Sequence, residues 1–144
     1  MDLHYSLSDA EFIHDFENCK LDPSWFTHEA HLRIGFLYIQ QLGSKLAAQK
    51  LCTGIARFDR IFGNGDKFHR TITVASIGIL SHFMRKSAAS DFISFIEEYP
   101  QLKTDFKRLL HTHYSGELLS TSMSKSTYIL PDLLENEVFE EVNS

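Results

Sequence analysis

Residues 34–39 read Ile-Gly-Phe-Leu-Tyr-Ile, apolar on nearly every side of a helix. A surface helix keeps a polar face, so a segment apolar all round belongs in the middle of a helical core. The run is the continuation of Trp25-Phe26-Thr27-His28-Glu29-Ala30-His31-Leu32-Arg33, which places two histidines and a carboxylate in the opening turn of that helix. Asp22 ahead of Pro23 and Thr27 ahead of His28 are rival N-caps. Either way the spacing predicts a helix over 28–42 that stops at Gly43. Gly35 inside it costs about 1 kcal/mol against alanine, which predicts a close helix contact at that point.

The remaining elements arrange themselves around this one. Ser8-Asp9-Ala10-Glu11 is a capping box that opens a short helix with Phe12, Ile13 and Phe16 on its apolar stripe. A third helix runs over 45–62, with Leu46, Leu51, Ile55, Phe58 and Ile61 or Phe62 as its expected inner face. Gly63-Asn64-Gly65-Asp66 breaks the chain. A fourth helix starts at Phe68 or Thr71 and ends at Met84 or Lys86. Its β-branched residues also permit a strand over 71–80, but no partner strand is visible. Ser90-Asp91 caps a fifth helix ending at Tyr99-Pro100, and Leu102, Phe106, Leu109 and Leu110 form a sixth. Ser115 is a candidate cap for 117–122, and Tyr128 to Asp132 should dock back on the core. The expected fold is all-α: a single-domain bundle of about six helices over 1–131, the first four mostly up-down. Residues 132–144, with Glu135, Glu137, Glu140 and Glu141, are expected to form a mobile acidic tail.

A chain of 144 residues can bury a sizeable core. Its net charge of −5 lacks the basic footprint that nucleic acids or anionic membrane surfaces demand. No nucleic acid and no membrane are therefore expected as partners, while a homo-oligomer is compatible. Two cysteines, Cys19 and Cys52, are too few for a disulfide framework and read as reduced thiols. No basic start leads into an apolar stretch, so the expected compartment is the cytoplasm. Glycine-rich phosphate loops, serine elbows and Cys-x-x-Cys pairs are all missing.

The eight histidines are the chemical signal. His28 and His31 stand three apart and project from one side of a helical turn, where two imidazoles can share a metal. His69 opens the fourth helix. In up-down topology the third helix returns the chain, which brings His69 beside His28 and His31. Three neutral imidazoles with open positions form a catalytic arrangement for zinc, iron or nickel, and without metal a histidine can act as general acid or base. Thr71 and Thr73 would hold a substrate or orient a histidine, although capping is the ordinary role of Thr71. Trp25 would wall the pocket. Arg33 would pair a substrate carboxylate or phosphate, against the ordinary reading of a surface ion pair. His111 and His113 lie two apart and make a poor chelate.

Taken together, Trp25 to Arg33, Phe68 to Thr73, Tyr114 to Ser120 and Leu130 to Asp132 resemble a family of small uncharacterised bacterial all-helical proteins. That family carries H-x-x-H-L followed by [YF]-H-x-T-x-T. The resemblance implies that His28, His31, His69, Thr71 and Thr73 act as one unit and supplies no activity. The functional expectation is a histidine-lined metal or small-molecule site, in the form of a metal-dependent hydrolase or oxidoreductase. The alternative is a non-catalytic ligand-binding or interaction module with structural histidines.

Overall fold

The computed structural model describes residues 1–143, which are all-helical with no strand among them. Four main helices carry the core: α1 (Asp9–Glu17), α2 (His28–Leu42), α3 (Ser44–Phe62) and α4 (Arg70–Met84). Both rival caps before α2 are used. Asp22 accepts from the Ser24 N–H and opens a 3-10 turn, Pro23–Trp25, and Thr27 then caps α2 through the Ala30 N–H. Gly43 ends α2 and starts α3 at a φ of 81°, a left-handed conformation that favours glycine. Helices α2, α3 and α4 pack against one another pairwise. The close contact expected at Gly35 falls on α4, where a Cβ would come within 2.7 Å of Leu80 Cδ1.

Six shorter helices complete the fold: α5 (Phe92–Glu98), α6 (Gln101–Thr104), α7 (Phe106–His113), α8 (Gly116–Leu119), α9 (Ser122–Ser126) and α10 (Glu137–Glu141). The count exceeds six because the expected sixth helix divides at Asp105 into α6 and α7. In addition, the Ser/Thr-rich stretch forms α9, capped by Thr121. Helices α7, α9 and α10 all pack on α4, and α5 and α6 pack on α2.

Two expectations need correcting. On α3, Leu46, Ile61 and Phe62 are exposed, and the inner face is Ala47, Ala48, Leu51, Cys52, Gly54 and Phe58. Small residues face inward because α2 and Phe16 approach closely; a Cβ on Gly54 would lie 2.6 Å from the Phe16 ring. The acidic tail is not a free tail. Its apolar residues Val138, Phe139 and Val142 are buried, and Glu137, Glu140 and Glu141 occupy the outer side of α10. Asn136 caps this helix, the Tyr128 hydroxyl donates to the Phe139 carbonyl, and Arg85 pairs with Glu141.

Candidate functional site

The start of α2 and the first three turns of α4 meet the middle of α3 and the start of α7 around a cavity of about 400 Å³. His28 and His31 enter from α2, and Thr73 and Ser76 from α4. Leu32, Leu51, Ile55, Ile72 and Leu80 supply aliphatic walls, and the ring of Phe106 closes one side. The two helix starts therefore lie at the same end of the bundle, as up-down topology requires. Among the described residues, no charged side chain lines this cavity. His28, Ile72 and Phe106 are shared with an adjoining surface groove of about 720 Å³ that does carry charge, on Lys103, Asp105 and Lys107.

Each polar group in the cavity has a defined hydrogen-bond state. The exposed His28 donates from Nε2 to the Leu102 carbonyl at 3.0 Å. His31 is half-buried and donates from Nδ1 to the Thr27 carbonyl one turn back, at 2.7 Å. The His31 ring stacks on Phe26 with centroids 3.7 Å apart. Burial pushes its pKa down from 6.5 to about 4, helped by the neighbouring His28 and opposed by the Thr27 carbonyl. His31 is thus a neutral imidazole at ordinary pH, with Nε2 free of hydrogen-bond partners among the described residues. Thr73 donates to the His69 carbonyl at 2.8 Å, and Ser76 to the Ile72 carbonyl at 2.6 Å.

His69 stands apart from this cavity. It is the N-cap of α4: its Nδ1 accepts from the Ile72 N–H at 3.1 Å, and its Nε2 donates to the Leu119 carbonyl at 2.8 Å. Both ring nitrogens are committed, and the residue ties the start of α4 to the end of α8. Asp59, near the end of α3, holds the approach to this cap by accepting from the N–H groups of Lys67 and Phe68. Thr71 is fully buried; it donates to the Thr127 carbonyl and accepts from the Ile129 N–H, clamping the segment after α9 onto α4. It does not cap α4, since His69 does. Trp25 packs against the core and does not line the cavity.

Arg33 belongs to neither a substrate site nor the surface. It is buried and aimed at the N-terminal segment, donating to the carbonyls of His4 and Leu7, to His4 Nδ1 and to Asp9 Oδ1. Its guanidinium also lies 4.5 Å from the centre of the Phe12 ring.

Among the described residues, the one group of three metal-competent side chains with ligand atoms within 4.8 Å is Asp2, His4 and Glu29. His28, His31 and His69 do not form such a group. In the Asp2 group the donors do not fit a cation. Arg33 donates to His4 Nδ1 at 3.1 Å, so the His4 proton sits on Nε2, 3.5 Å from Asp2 Oδ2. Freeing Nε2 for a metal would move that proton to Nδ1, against the guanidinium. Glu29 already accepts from the Tyr5 hydroxyl and pairs with Lys103, and Asp2 accepts from the Thr27 hydroxyl.

Sequence reasoning missed Ser76, which lies three residues after Thr73 on the same helical face and was readable by that spacing. It missed the Phe106 wall, which no local pattern announces. No protein-family model, curated protein or solved structure matches the chain.

Proposed function

We propose that the protein binds a small molecule in the cavity between α2, α3, α4 and α7. The observation that carries this reading is the pairing of an uncharged, largely aliphatic enclosure with the free Nε2 of a neutral His31. Ligand sites are mostly apolar, with a few placed polar groups to orient the ligand. The same features favour binding over acid–base catalysis by His31. A base with a pKa about 4 is mostly deprotonated at neutral pH but has little pull on a proton, and efficient general bases titrate near the working pH.

The binding reading is tested by nuclear magnetic resonance of the full chain with a library of small neutral aromatic fragments. Resonances of His31, Thr73 and Phe106 should shift on addition, and Ser76→Leu, which fills the space, should abolish the shifts. Shifts confined to other surfaces would overturn it.

A second reading keeps a divalent transition metal, zinc, iron or nickel. It is favoured by one observation: His28 and His31 each donate one ring N–H to a backbone carbonyl, the arrangement that orients metal-bound histidines. Two imidazoles would then hold the ion and leave positions open for an activated water in hydrolysis or for redox chemistry. Metal analysis of tag-free protein, wild type against His31→Ala, decides this: stoichiometric metal lost in the variant supports it, and equal metal content in both sinks it.

A further inference from the structure

The hydrogens of the cavity are all spent. His28 Nε2–H, His31 Nδ1–H, the Thr73 hydroxyl and the Ser76 hydroxyl each donate to a backbone carbonyl: Leu102, Thr27, His69 and Ile72 respectively. A neutral imidazole has one donor and one acceptor nitrogen, and a hydroxyl has one donor hydrogen and two lone pairs. What remains on His31, Thr73 and Ser76 is therefore lone pairs. Among the described residues, no lysine or arginine lines the cavity to receive an anion, and no aspartate or glutamate to receive a cation.

Building on the binding reading above, we infer that the cavity selects neutral, mainly apolar molecules that bring their own hydrogen-bond donor, with phenols as the fitting class. A phenolic O–H meets an acceptor nitrogen or oxygen, while its ring packs among Leu32, Leu51, Ile72 and Phe106. A carboxylate or phosphate meets only lone pairs and aliphatic carbon, and loses its hydration without replacement. An ammonium finds acceptors but no countercharge. An ether or a ketone of the same shape offers an acceptor to an acceptor-only wall. The discrimination arises because a ligand without a donor leaves buried acceptors unpaired.

The test compares three probes of one shape on the full-length chain by calorimetry: p-cresol, its methyl ether and p-toluate. The expected order is p-cresol tighter than the ether by about tenfold, and p-toluate weaker than p-cresol by about 100-fold or more. In His31→Phe the ring still stacks on Phe26 but offers no acceptor. The cresol-to-ether ratio should fall to about two or less, and a cooperative thermal unfolding transition shows that the variant is folded. Thr73→Val should lower the same ratio by a smaller step. Equal binding of p-cresol and its ether to the wild type, or binding of p-toluate as tightly as p-cresol, overturns the selectivity and leaves the cavity as a binding site. Absence of binding by all three probes, with no shift at His31, overturns both readings.

Discussion

Arg33 shows how one side chain is reassigned by what surrounds it. A guanidinium in solution costs nothing to keep charged, but Arg33 is only 4% exposed and must be compensated by hydrogen bonds. It has them from the His4 and Leu7 carbonyls, from His4 Nδ1 and from Asp9. Replacing it takes the donor from the Leu7 carbonyl and from His4 Nδ1 and empties the space against Phe12, while the His4 carbonyl keeps the Leu7 N–H. Arg33→Ala is therefore expected to cost about 3 kcal/mol in urea unfolding. Asp9→Ala should cost under about 1 kcal/mol, because Asp9 lies mostly in solvent. Equal losses would show that the ion pair, rather than these contacts, is what Arg33 serves. The site residues divide along the same line. His28, His31 and Thr73 were readable as neighbours, since helical spacing and a returning chain suffice to bring them together. The end of His69 was not readable. Its two nitrogens are taken by its own helix start and by Leu119, fifty positions later, and no local pattern announces that return.

At the scale of elements, the sequence was clear where periodicity was long and ambiguous where it was short. Helices α2, α3 and α4 declare themselves through runs of 15, 19 and 15 residues with caps at each start or a glycine at each join. Helix α10 has five residues and reads as acidic tail because glutamates outnumber its apolar positions. Its docking depends on a ring and a hollow: Phe139 lies over Gly78, where an added Cβ would sit 3.1 Å from the ring. Tyr114 meets the same ring edge-on at 5.8 Å, and His113 at 4.7 Å. Phe139→Ala should therefore destabilise the whole domain by about 3 to 4 kcal/mol, as for other large aromatic deletions in packed cores. The neighbouring change Glu140→Gln should stay within about 0.5 kcal/mol, since that side chain is exposed. Thermal unfolding of both variants checks the contrast. A Phe139→Ala protein as stable as wild type would return α10 to the status of a free tail.

For the molecule as a whole, the buried histidines set how stability responds to acid. His31 titrates near 6.5 when unfolded and is pushed down to about 4 by burial in the fold. Above pH 6.5 it is neutral in both states and does not bias folding. As pH falls below 6.5, the unfolded chain takes up a proton that the folded one refuses, so stability drops until the folded ring also protonates near 4. From pH 7.5 to pH 5 this linkage amounts to about 2 kcal/mol. His4, lowered by burial and by Arg33, and His82, lowered by burial and by Lys86, act in the same direction. The carboxylates lowered by their hydrogen bonds, among them Asp22, Asp91 and Asp132, lose their contribution only at more acid pH, below their ordinary value of 3.8. The window between 6.5 and 5 therefore belongs to imidazoles. Urea unfolding at pH 7.5 and pH 5 should show wild type losing about 2 kcal/mol more than His31→Phe between the two conditions. An identical loss in the two proteins would mean that His31 protonates freely in the folded state. That outcome would also place water, rather than an apolar wall, against its ring.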